Sequence, residues 1–107
     1  MKAAKRRRLL ARGWSVGNAR DFLELTDEEA AFVDLKLALA DGLKQQRLKR
    51  GLTQTQLALR LASSQSRVAK MEAGDRSVSL DLLVRSLLAV GSKPRDLARI
   101  ITRSRAA

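Results

Sequence analysis

Helix start and stop signals recur at short intervals along this chain. They leave room for little except short helices packed on one another. Thr26 precedes Asp27, Glu28 and Glu29, a capping box in which hydroxyl and carboxylate each take an otherwise orphaned backbone N–H. The three acids also sit at the positive end of the helix dipole. Val33, Leu35, Leu39, Leu43 and Leu48 carry this helix to about Arg50, where Gly51 stops it. Leu37 lies off that stripe, which suggests two buried faces. Gly42 costs about 1 kcal/mol in a helix interior and marks a candidate break. Thr53-Gln54-Thr55-Gln56 is a second capping box, followed by Leu57, Ala58 and Leu61. Residues 62–64 interrupt, and Ser64 or Ser63 caps a helix over residues 65–72 that Gly74 ends. Ser79 caps a helix bearing Leu83, Leu87 and Val90, which Gly91 closes. Ser92, with Pro94 in the first turn, opens a last helix carrying Leu97, Ile100 and Ile101.

Composition agrees with an all-α fold. The 107 residues allow one domain and a tail. Leu and Ala dominate the apolar content, with one proline and three aromatics, Trp14, Phe22 and Phe32. With no cysteine there are no disulfides or thiolate metal sites. With no histidine the commonest general base and metal ligand is gone as well. No enzyme, cofactor or metal is expected. Glu24, Glu28, Glu29 and Asp34 resemble a hard-metal cluster, but helix capping accounts for the acids of the first turn. No apolar stretch reaches the ~20 residues of a membrane span. The basic start is followed only by Leu9-Leu10-Ala11 before Arg12, too short for a signal peptide. The expected compartment is the cytoplasm.

The net charge of +11 is distributed in blocks. Residues 1–20 hold seven basic residues and no acid, +7. Residues 21–41 hold seven acids against Lys36, −6, and residues 42–107 hold fourteen basic residues against four acids, +10. An excess of this size points to a polyanion, most often nucleic acid, and its segregation points to different partners for different blocks. Residues 1–17 read as a basic arm, either a solubilising tail or a functional one, with Trp14 at its docking point. Residues 18–34 read as an acidic helical extension, with Asn18 capping a short helix that carries Phe22, Leu23 and Leu25. Residues 35–103 form the remaining unit.

Two helices over residues 54–61 and 65–72, joined by about three residues, suit a helix-turn-helix whose second helix faces outward. Val68 and Met71 anchor that second helix, and Gln65, Ser66, Ala69 and Lys70 lie opposite. Such a surface fits a major groove. Glutamine pairs bidentately with adenine, lysine reaches guanine, and alanine meets a thymine methyl. Backbone N–H groups at Ser64 and Gln65 suit a phosphate. Lys44, Arg47, Lys49 and Arg50 read as general electrostatics at the end of the first helix.

The run from Gly51-Leu52-Thr53-Gln54 through Gln56-Leu57-Ala58 to Ser64-Gln65-Ser66-Arg67-Val68-Ala69-Lys70-Met71-Glu72-Ala73-Gly74 resembles the Cro and phage-repressor (XRE) type of helix-turn-helix. The resemblance covers residues 43–101 and implies a five-helix, lambda-repressor-like DNA-binding domain. It implies that Gln65, Ser66 and Lys70 read bases and that Gln54, Ser64, Arg67 and Arg76 touch phosphates, with Gln54 also bracing the recognition helix. It further implies a homodimer on a palindromic double-stranded operator. Leu97, Ile100 and Ile101 are then either core or dimer interface. One departure stands out, because the family carries glycine in the turn where this chain has Ala62, and a left-handed alanine costs roughly 1 kcal/mol. Small members of this type include HigA-like antitoxins, which pair with an RNA-cleaving toxin, as well as stand-alone phage-type or restriction-controller regulators. The acidic block with the segment before it, residues 14–41, suits a small basic toxin, which favours a repressor that is also an antitoxin. A basic RNA-binding, ribosome-binding or bridging protein is disfavoured by the scarcity of aromatics for base stacking.

Overall fold

The computed structural model describes residues 25–104. The arm, Trp14, and the Asn18-capped helix up to residue 24 lie outside the described residues. Five helices follow in order: α1 (Asp27–Lys49), α2 (Gln54–Arg60), α3 (Gln65–Glu72), α4 (Leu80–Ala89) and α5 (Pro94–Arg103). Among the described residues there is no strand, as the helix signals require.

Four of the five starts form as their sequences dictate. Thr26 accepts the Glu29 N–H at 3.1 Å while Glu29 accepts the Thr26 N–H at 3.2 Å. Thr53 and Gln56 make the same reciprocal pair at 3.1 and 2.8 Å. Ser64, rather than Ser63, accepts the Arg67 N–H at the start of α3, and Ser79 accepts the Leu82 N–H at the start of α4. The start of α5 differs from expectation. Pro94 forces its predecessor into extended backbone, so the cap is Lys93, at φ −104° and ψ 162°. Asp96 then accepts the Lys93 N–H at 2.7 Å. Ser92 is buried and its hydroxyl has no partner among the described residues.

The first four helices end in one way. After each C-cap, the next residue turns left-handed and two backbone N–H groups reach back into the last turn. At α1 these are Gly51 N–H to Leu48 and Leu52 N–H to Arg47, and at α3 they are Gly74 to Met71 and Asp75 to Lys70. At α4 Gly91 bonds to Leu88 and Ser92 to Leu87, and at α2 Ala62 bonds to Leu59 and Ser63 to Ala58. This is the Schellman arrangement, which satisfies orphan carbonyls and favours glycine. Ala62 holds the position with φ +52°, the sole non-glycine residue with positive φ among those described.

α1 is the axis of the fold and packs against α3, α4 and α5. Leu39, Leu43, Leu57, Val68, Met71, Leu83 and Leu87 are fully buried and join the core, with Leu61, Leu97 and Ile100 packed on its edge. Gly42 makes no break. It is buried in a continuous helix, and a Cβ there would lie 2.6 Å from Ile100 Cδ1, so the glycine lets α5 approach α1. Leu48 is half exposed rather than part of the core stripe, because five residues beyond Leu43 it lies about 140° round the helix from it. Leu37 does serve a second face, lying under the turn at Gly74. Residues 34 and 35, where the extension meets the remaining unit, fall within this one helix.

Candidate nucleic-acid interface

α2 and α3 pack closely, with the Ala62–Ser63–Ser64 turn between them. α3 divides sharply by face. Val68 and Met71 are buried to 0% and 1% exposure, while Gln65, Ser66, Arg67 and Lys70 are exposed and Ala69 is half-buried. The anchor is entirely apolar apart from the Ser86 hydroxyl, which lies 3.5 Å from Met71 Sδ. A helix held by two buried side chains presents the rest of its surface outward. Gln65, Ser66 and Lys70 therefore lie on the outward face that their spacing predicts, whereas Ala69 of that face is half-buried and Arg67 is exposed to one side of it.

A polar relay fixes this helix against α1. Arg47 Nε and a terminal guanidinium nitrogen donate to the two Glu72 oxygens at 2.6 and 3.1 Å, and its other terminal nitrogen donates to the Leu52 carbonyl at 2.9 Å. Gln54 Nε2 donates to Glu72 Oε1 at 3.1 Å, and Gln54 Oε1 accepts from Gln65 Nε2 at 2.6 Å. The direction is imposed by chemistry. Ionised Glu72 only accepts, so Gln54 turns its NH2 toward it and thereby offers its oxygen to Gln65. The relay leaves Gln65 with one N–H and its own carbonyl oxygen unused within it, a donor and an acceptor side by side.

Arg47 is thus not a general surface charge. Its side chain is only 11% exposed and that of Glu72 only 4%. A doubly hydrogen-bonded pair of this kind is the arrangement that makes a buried charge tolerable. Glu72 gave a sequence signal for it, since a carboxylate at the last position of a helix opposes the dipole and calls for a cation.

The other expected phosphate contacts are placed differently. Ser64 and Arg67 lie at the first turn of α3, whereas Arg76 is exposed in the loop beyond its end. In that loop Asp75 accepts the Ser77 N–H at 2.8 Å and its hydroxyl at 2.5 Å. Lys36 of α1 lies close enough to feel this loop. Partial burial lowers its pKa below the ordinary value, Asp75 works against that shift, and Arg76 adds to it. Leu97 and Ile100 pack at the edge of the chain's own core, and Ile101 is 42% exposed. Among the described residues no group of three or more acids is arranged to hold a metal ion.

A helix-turn-helix family profile matches residues 43–97, just over half of the chain. The chain belongs to the helix-turn-helix family. No curated protein and no solved structure matches it. The helix-turn-helix assignment makes this a DNA-binding transcription regulator of a typically non-enzymatic family, and it spans the last turns of α1, all of α2, α3 and α4, and the first turn of α5. α1 begins 16 residues ahead of the match, so most of that helix is an addition to the helix-turn-helix unit. No described helix is long and apolar enough to cross a membrane.

Proposed function

We propose that this protein is a sequence-specific repressor that binds a palindromic double-stranded operator as a homodimer, with α3 in the major groove. One observation carries the reading. Gln65 is braced by Gln54 at 2.6 Å yet keeps a donor and an acceptor for a base edge. That pair matches the N6 and N7 positions of adenine, and bracing lowers the entropy lost on binding. Ser66 and Lys70 on the same exposed surface extend base reading, and Arg67, Ser64, Gln54 and Arg76 hold phosphates on either side. Ile101 and Leu88, both over 40% exposed on adjacent helices, favour pairing of two copies through the α5 side, with Leu97 and Ile100 behind them. The arm over residues 1–17 adds sequence-independent attraction to the duplex.

The acidic extension favours a second partner. Phe32 is 51% exposed and shares a helix face with Glu28 and Glu29. An apolar side chain flanked by carboxylates suits a small basic protein, and the reading is an antitoxin that binds a toxin through residues 14–41 and represses its own operon. A stand-alone regulator has no such partner, so native co-purification separates the two.

The DNA reading is tested by selecting binding sites from a random duplex pool and measuring affinity of the variants. Gln65→Ala and Lys70→Ala each weaken the selected site by ~1–3 kcal/mol and relax preference at particular base pairs. Equal losses on selected and random duplexes refute base reading by α3.

A further inference from the structure

The part of α1 ahead of the family match lies against the loop that follows the recognition helix. Gly74, the first residue of that loop, has its backbone so close to α1 that a Cβ would sit 2.7 Å from Leu37 Cδ2 and 3.7 Å from the Ala40 Cβ. Residues 36, 37 and 40 share one side of a helix, so Lys36 flanks the contact. Beyond Gly74, Asp75 is tied by two hydrogen bonds to Ser77, which fixes the turn that carries Arg76. Lys36, Asp75 and Arg76 therefore form one cluster with two cations and one carboxylate.

We propose that Lys36 and Arg76 together grip a DNA phosphate, so that the added length of α1 supplies a backbone contact from outside the matched helix-turn-helix unit. The inference rests on the DNA-binding reading above and adds to it a residue that lies outside the matched span. Its physical basis is a surplus positive charge. One carboxylate, Asp75, acts on Lys36 alongside Arg76 and is also engaged by Ser77, so two cations against one carboxylate leave an arriving anion net attraction. In the free protein partial desolvation disfavours the Lys36 charge, Asp75 offsets part of that cost, and Arg76 adds a smaller repulsion. A phosphate between the two cations removes the repulsion. A lysine used only to steady the loop would gain nothing from the duplex.

The experiment uses the full chain and a mixed-sequence DNA duplex, with binding followed by fluorescence anisotropy across a salt series. Each phosphate contact contributes about 0.9 to the slope of log K against log salt. Lys36→Gln with Arg76→Gln lowers that slope by about 0.9, so a roughly fourfold rise in salt costs the double variant about 3.5-fold less affinity than the parent, and Lys36→Gln alone lowers the slope by part of that amount. Lys36→Arg restores the slope. The thermal midpoint of Lys36→Gln without DNA is not lowered, because the charge it removes is unfavourable there. A parental slope retained by Lys36→Gln overturns the inference, and retention with a lowered midpoint assigns Lys36 to the loop structure alone. A parent that binds the duplex without salt dependence overturns the DNA reading and this contact with it. A slope that falls in Arg67→Gln but not in Lys36→Gln leaves the DNA reading standing and removes this contact only.

Discussion

Ala62→Gly tests the account of how these helices end. Ala62 occupies the left-handed position of a Schellman turn at φ +52°, with both of its hydrogen bonds formed. A left-handed L residue is disfavoured by roughly 1–2 kcal/mol, which glycine avoids. Glycine in turn gives the unfolded chain more freedom, which opposes the gain by about 0.4–1 kcal/mol. Ala62 is exposed, so no packing is lost with its methyl. The net is a stabilisation of roughly 0.5–1 kcal/mol, or a rise of roughly 2–8 °C in thermal midpoint. Gly51 supplies the mirror experiment. It has φ +68°, and a Cβ there meets nothing within 4 Å. Gly51→Ala therefore introduces strain without a clash and lowers stability by about the same 0.5–1 kcal/mol. The two sites share no hydrogen bond, and the double variant returns close to the parent. Urea and thermal unfolding by circular dichroism measure all three. A lower midpoint for Ala62→Gly, or no loss for Gly51→Ala, would refute the argument from backbone conformation.

Three further outcomes follow from the packing and the caps. Glu72→Ala leaves Arg47 buried without its carboxylate and destabilises the fold by about 3–5 kcal/mol in urea titration, whereas a change below about 0.5 kcal/mol would place the pair effectively in solvent. Gly42→Leu forces Ile100 and α5 away from α1 and lowers stability by about 1–3 kcal/mol, but Gly42→Ala stays near the parent because Ile100 Cδ1 yields and alanine is the better helix former. The Lys93 N–H bond holds the Asp96 carboxyl below its ordinary 3.8, so this cap is complete above pH 3.8 and is lost as pH falls through the lower folded value. The Lys93 amide shift, followed by NMR, titrates below 3.8, and a midpoint at or above that figure contradicts the bond.

Sequence by itself determined the helices, because caps and stops are local chemistry. Thr26 with Glu29, Thr53 with Gln56, Ser64 and Ser79 each bond to a backbone group within three residues, and the glycines act through their own φ. The recognition helix was legible for the same reason, since Val68 and Met71 three apart define its buried face. The family-like spacing of Gln54 and Gln65 was legible too, and the bond between them follows from it. What lay beyond reach of the sequence depends on elements far apart in the chain. Arg47 looked like one of several surface cations until the fold set it 2.6 Å from Glu72, 25 residues away. Gly42 looked like a weak point until Ile100 came to rest on it, and Ser92 looked like a cap until Pro94 fixed Lys93 in that place. Lys36 seemed the lone cation of an acidic block, and only the seating of the α3–α4 loop on α1 gave it Asp75 and Arg76 as neighbours. Tertiary structure decided these because a charge or a missing side chain takes its meaning from what packs against it, and no local pattern encodes that partner.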